Sequence, residues 1–110
     1  MTIEATQLEK AVLIKVGGRM DAENAPQFEQ ACDEWMRRGA RHLVAELNGL
    51  EYVSSMGLRS FLSVAQKLTP LPGSLSLVGL RGLPRQVFEM TRLIGLFPVF
   101  DTADEALARL

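Results

Sequence analysis

The sequence has one cysteine, Cys32, one histidine, His42, one tryptophan and one tyrosine. A single cysteine excludes an internal disulfide, and one cysteine with one histidine leaves no metal-binding spacing. Lysine and arginine never form a run, and 12 basic residues against 13 acidic ones give a net charge of −1. The electrostatic footprint of a nucleic-acid binder is missing. No apolar stretch approaches the roughly 20 residues that cross a bilayer. The opening "MTIEATQLEKAVLIKV" puts acidic and polar residues where a signal peptide needs a basic start and a long apolar run. These absences lead us to expect a cytoplasmic protein that neither inserts into a membrane nor binds nucleic acid directly. Nothing resembling a linker or repeat divides the 110 residues, so 1–110 is read as one domain.

What is present is a rhythm of apolar segments. The residues are 47% hydrophobic, enough for one modest core. "AVLIKV" (11–16), "HLVAEL" (42–47), "SLSLV" (74–78) and "FPVF" (97–100) have strand length, and "TIEATQL" (2–8) reads as a further edge strand. Between them, helical spacing runs over 25–39, 56–68 and 84–95, and again over 102–110. Asn24 is placed to cap the first of these helices and Gly39 to end it, while Thr102 and Glu105 form a capping box for the last. Gly17–Gly18 reads as a tight turn and "NGLEYVSS" (48–55) as a loop. Alternating strands and helices imply an α/β fold with a mostly parallel sheet of four to five strands. Lys15, Glu46 and Ser76 interrupt otherwise apolar strands, so helices are expected mainly on one face, with the second face partly open and the repeat wound right-handed. The spacing places Phe28, Trp35, Leu43, Leu47, Leu58, Phe61, Leu62 and Leu77 in the core.

Few residues stand out chemically. His42 opens a strand, where a structural role is the ordinary one. "GLRGLPR" (79–85) sets two arginines and two glycines before a helix, which suits either an anion or a plain strand-to-helix connection. "EYVSSMGLRSFL" (51–62) is the informative stretch, because two small hydroxyls stand where a strand turns into a helix. One serine suffices as an N-cap. The other has a position well suited to a phosphate, since a helix N-terminus favours negative charge. No GxSxG elbow surrounds them, so an enzyme with Ser55 as nucleophile is the weaker alternative.

From end to end the chain resembles the STAS domains of bacterial anti-sigma factor antagonists. "GGRMD" matches a strand ending in Gly-x-x-Asp at Asp21, "HLVAELNGLEYV" the following strand, and "SSMGLR" the Asp-Ser-[Ser/Thr/Ala]-Gly-Leu motif. "LSLVGLRGLPRQVFEMTRLIGLFPVF" and "TADEALARL" match the remainder. Ser54 stands where aspartate is usual, Met56 where a small residue is usual, and Glu46 where aspartate is usual. The resemblance implies a STAS-type strand–helix superhelix and a non-enzymatic binding module with no cofactor or metal. It implies that the unmodified domain binds an anti-sigma factor serine kinase of the GHKL type and so releases a sigma factor. Phosphorylation at Ser55 then ends the complex, and a PP2C-type phosphatase reverses it. The partner surface is expected at Tyr52, Ser54, Ser55, Met56, Gly57 and Arg59, with Gly57 allowing close approach of a partner backbone. A STAS subunit of a lipid transporter or signalling scaffold, without a phosphorylation switch, is the alternative role.

Overall fold

A computed structural model describes residues 1–110. Strand β1 (Thr2–Gln7) turns back as β2 (Val12–Met20), followed by α1 (Ala25–Arg37), β3 (His42–Glu46), β4 (Leu50–Val53) and α2 (Ser55–Leu68). Then come β5 (Ser74–Val78), α3 (Gly82–Met90), a 3-10 turn (Leu93–Leu96), β6 (Val99–Phe100) and α4 (Ala103–Ala108). The six-stranded sheet has the order β1-β2-β3-β5-β6, with β4 paired to β2 off this path. Only β1 runs antiparallel to its neighbour. The expected α/β class and mostly parallel sheet are therefore present, but with six strands and not four to five.

The additional strand is β4. Its four residues fall in "NGLEYVSS", which spacing reads as loop, yet Leu50 and Val53 are buried and the strand pairs with β2 at Gly18, Arg19 and Met20. Gly17 and Gly18 correspondingly lie inside β2 and do not form a turn. A side chain at Gly17 would meet Thr2 Oγ1 at 2.9 Å, and Gly18 takes φ +82° at the register shift where β2 passes from β3 to β4.

Strand alternation sorts the side chains. Val12, Ile14 and Val16, then Leu43, Ala45 and Leu47, then Leu75 and Leu77, point to one face, where α1, α2 and α3 cover them. Phe28, Phe61, Phe88 and Phe97 form a chain of ring contacts with centroids 4.6, 5.6 and 5.9 Å apart. This chain ties α1 to α2, α2 to α3, and α3 to the segment before β6. On the other face α4 seats Ala106 on Ala11, Val44 and Val78. Lys15 is open to water there, but Ser76 is buried, so the open part of that face does not extend to Ser76.

Six of the eight expected core residues are buried; Trp35 and Leu62 are only half-covered. Both lie at the edge of their helix stripe, and Trp35 stacks under the Arg38 guanidinium, 5.0 Å from the ring centroid. The expected helix over 84–95 begins at Gly82, ends at Met90 and gives way to the 3-10 turn after Arg92, which takes φ +63°. Asn24 makes no capping bond to α1. Its Oδ1 instead accepts from the Asp21 N–H at 2.9 Å, and its Nδ2 donates to the Arg19 carbonyl at 2.9 Å.

Candidate functional site

β4 delivers the chain to α2 in a fixed pose. The Ser54 N–H donates to the Met20 carbonyl at 2.9 Å, continuing the β2–β4 pairing by one residue. Ser54 stays extended, at φ −84° and ψ 173°, and its Oγ accepts from the Gly57 N–H at 3.2 Å. This is N-cap geometry: one orphan donor of the helix is satisfied by a side-chain oxygen. Ser54 thus has the structural role that the sequence assigned to one of the two serines.

Ser55 is the first residue of α2, exposed, with no side-chain hydrogen bond inside the chain. Met56 is 40% exposed and Arg59 is exposed on the following turn. Tyr52 is half-buried, with the Arg19 guanidinium 4.2 Å above its ring centroid. Ser55, Met56 and Arg59 therefore share a water-facing surface on the first turns of α2, which Tyr52 precedes on β4. Arg19, which lies over Tyr52, does not figure in the sequence reading. It reaches Tyr52 because β2 pairs with β4, a pairing the spacing does not announce.

Gly57 does not belong to the surface, which corrects its expected role in partner approach. It is buried, and a Cβ there would lie 2.7 Å from Val53 Cγ2 and 2.9 Å from Met20 Sδ. Its missing side chain lets α2 settle onto the sheet. The sequence signal for this was a glycine inside an amphipathic helix, where it is retained for a packing reason at some cost in helix propensity. Ser60, one turn on, also faces inward and donates to the Ala25 carbonyl at 3.4 Å.

The loop beside Ser54 is held by Asp21, whose Oδ1 accepts from the N–H groups of Glu23 and Asn24, both at 3.0 Å. Glu46 accepts from the Asn48 N–H at 2.7 Å and from Asn48 Nδ2 at 2.6 Å, fixing the turn into β4. In "GLRGLPR" both arginines bind backbone: Arg81 donates to the Asn48 carbonyl and Arg85 to the Leu80 carbonyl. They pin loops together, so the anion-site alternative for that segment is not favoured.

His42 starts β3 while the serines follow β4, and its Nδ1 lies 2.9 Å from Ser74 Oγ. It is not beside Ser55. None of the surface hollows is lined by Ser54 or Ser55. No group of three His, Cys, Asp or Glu side chains could hold a metal ion. No helix is long and apolar enough to cross a membrane. The arrangement presents an exposed, mixed surface of one hydroxyl, one thioether and one guanidinium group, with chemistry suited to a macromolecular partner.

The STAS domain family model matches residues 2–106. BtrV of Bordetella bronchiseptica, assigned as an anti-sigma factor antagonist, is 32% identical over 108 residues, covering 98% of this chain and 93% of that protein. An anti-sigma factor antagonist from Mycobacterium paratuberculosis has a crystal structure that superposes with a TM-score of 0.86 at 28% identity, over 98% of this chain and 92% of that one. The Bacillus cell fate determinant SpoIIAA shares the fold at 21% identity. Its unphosphorylated form has a TM-score of 0.85 over 98% of this chain and 95% of its own. Its phosphorylated form has a TM-score of 0.77 over 98% of each chain. The family match over nearly the whole length, the six-stranded α/β fold and the serine pair at the β4–α2 junction lead to one conclusion: this chain belongs to the STAS domain family.

Proposed function

We infer that this protein is an anti-sigma factor antagonist, a binding module and not an enzyme. Its unphosphorylated surface around Ser55 binds an anti-sigma factor kinase of the GHKL type and frees a sigma factor, and phosphorylation of Ser55 ends that complex. A PP2C-type phosphatase restores the binding form. The observation that carries this reading is the division of labour between the two serines. Ser54 satisfies the helix end, which leaves the Ser55 hydroxyl exposed and without internal work. Supporting it are the names of the relatives, BtrV and the mycobacterial protein, and the existence of SpoIIAA in unphosphorylated and phosphorylated forms.

The physics suits such a switch. A phosphoserine carries about −1.5 to −2 charges at neutral pH. At a helix N-terminus that charge is tolerated by the domain, while an interface built around a neutral hydroxyl must desolvate it. Binding is lost without unfolding. The test is affinity isolation with two baits. Ser55→Ala should retain the kinase, and Ser55→Asp should recover much less of it. The reading is overturned if binding ignores Met56 and Arg59 substitutions but is abolished by changes at Leu83 and Met90, which are exposed on α3.

A further inference from the structure

The surface around Ser55 contains a cation with no internal partner. Arg59 is exposed and takes part in no ion pair or side-chain hydrogen bond of the chain; Arg37, Arg38 and Arg85 pair with glutamates and Arg41 and Arg81 bind carbonyls, while the other unpaired arginines, Arg92 and Arg109, lie outside α2. It lies four residues after Ser55 on α2, so the two side chains share a helix face with Cβ atoms roughly 5–6 Å apart. An anion N-terminal to its cation at this spacing is the favourable orientation.

The other charges around Ser55 are already committed or point to water. Arg19 lies over Tyr52, and the Asp21 carboxylate accepts from Glu23 and Asn24. Glu51 on β4 and Glu23 in the β2–α1 loop are exposed. On α1, Glu29 and Asp33 hold Lys67, three turns further along α2. The first turn of α2 has no acidic residue to occupy Arg59.

We propose that Arg59 is the internal ligand of phosphorylated Ser55. Its planar fork of donors matches phosphate oxygens, which a lysine would meet only as a point charge. This rests on Ser55 being the acceptor. Phosphorylation then changes the surface twice: it adds negative charge, and it turns Arg59 from an outward contact into a group bound to its own helix. The partner loses a neutral hydroxyl and a cation together. Aspartate, with a shorter arm and one carboxylate, captures Arg59 poorly, so Ser55→Asp is a partial mimic.

The experiment uses the full chain with phosphoserine installed at position 55 during translation, so no kinase is involved. Phosphorus NMR titration reads the second ionisation of the phosphate, ordinarily near pH ~6. With Arg59 present it should fall by about 0.2–0.4 pH unit, the scale of an exposed helix pair. Arg59→Gln should raise it again by that amount, to the value the helix N-terminus alone sets, and Arg59→Lys should give an intermediate one. The Arg59 Nε–H resonance should shift and slow its exchange only in the phosphorylated chain. Identical titrations in all three proteins, with an unchanged Arg59 resonance, would overturn the proposal. Failure of a kinase to modify Ser55 would overturn the functional reading and leave these titrations unaffected.

Discussion

Gly57→Ala sets two effects of opposite sign against each other. Alanine is the better helix former by up to ~1 kcal/mol in a helix interior, and by less in the first turn, where residue 57 sits. Against this, the added methyl would stand 2.7 Å from Val53 Cγ2 and 2.9 and 3.0 Å from Met20 Sδ and Cγ. Ordinary carbon contacts lie near 3.5–4.0 Å, so close to an ångström of overlap must be relieved. Val53 is β-branched and stiff. Met20 is flexible but fully buried, so it has no solvent to swing into. Overpacking of this kind costs about 1–3 kcal/mol. The overlap wins, and the variant should be less stable by about 1–2 kcal/mol. Urea unfolding with a fitted midpoint and slope measures this. Val53→Ala removes the stiffer neighbour, so Gly57→Ala should cost much less in that background than alone, a coupling read by a double-mutant cycle. A Gly57→Ala protein as stable as the parent or more so would refute the close seating of α2 on β4, and with it the placement of Ser55.

Three further outcomes follow from the same structure. Ser54→Ala should lower stability by about 0.5–2 kcal/mol by thermal or urea unfolding, since it removes the cap on Gly57, and should leave the fold intact. Lys67→Met should weaken the protein at neutral pH, because Lys67 bonds Glu29 at 2.7 Å and Asp33 at 3.0 Å. The Lys67 bond, and next the Ser63 hydroxyl, hold the Glu29 carboxyl below its ordinary 4.5. That stabilisation is present above the ordinary value and lost as pH falls through the depressed one, so the two unfolding curves should converge in acid. Burial, and then the Asp33 and Glu29 charges, push the Cys32 thiol up to about 12, so a thiol reagent at neutral pH should label it only as the chain unfolds.

Much of the fold was legible because long segments keep one period. Phe28 with Cys32, and Leu58 with Phe61 and Leu68, announce helix faces, and the strands carry apolar runs between them. What the sequence hid is local and physical. β4 is four residues long, too short for alternation to register, and its flanking Asn48 and Gly49 read as loop. Missing β4 made Gly17–Gly18 look like the end of β2, although they are where β2 changes partners. Asn24 binds back to its own loop and not forward to the helix, a choice open to any residue at a cap position and not marked in the sequence. At the site, the serine pair was legible in position and in role for Ser54. Gly57 was read as a surface residue because residue spacing alone does not say what lies beneath a helix, and Arg19 was missed because its neighbour Tyr52 is distant in sequence.

The central claim is that Ser55 is the modified switch and Ser54 the helix cap. Its most direct test is incubation with an anti-sigma factor kinase that binds the protein, together with ATP, followed by intact mass and site mapping. A single phosphate should be found on Ser55, absent in Ser55→Ala and retained in Ser54→Ala, and the kinase should dissociate as it accumulates. Phosphate on Ser54, or a stable kinase complex in which neither serine is modified, would contradict it.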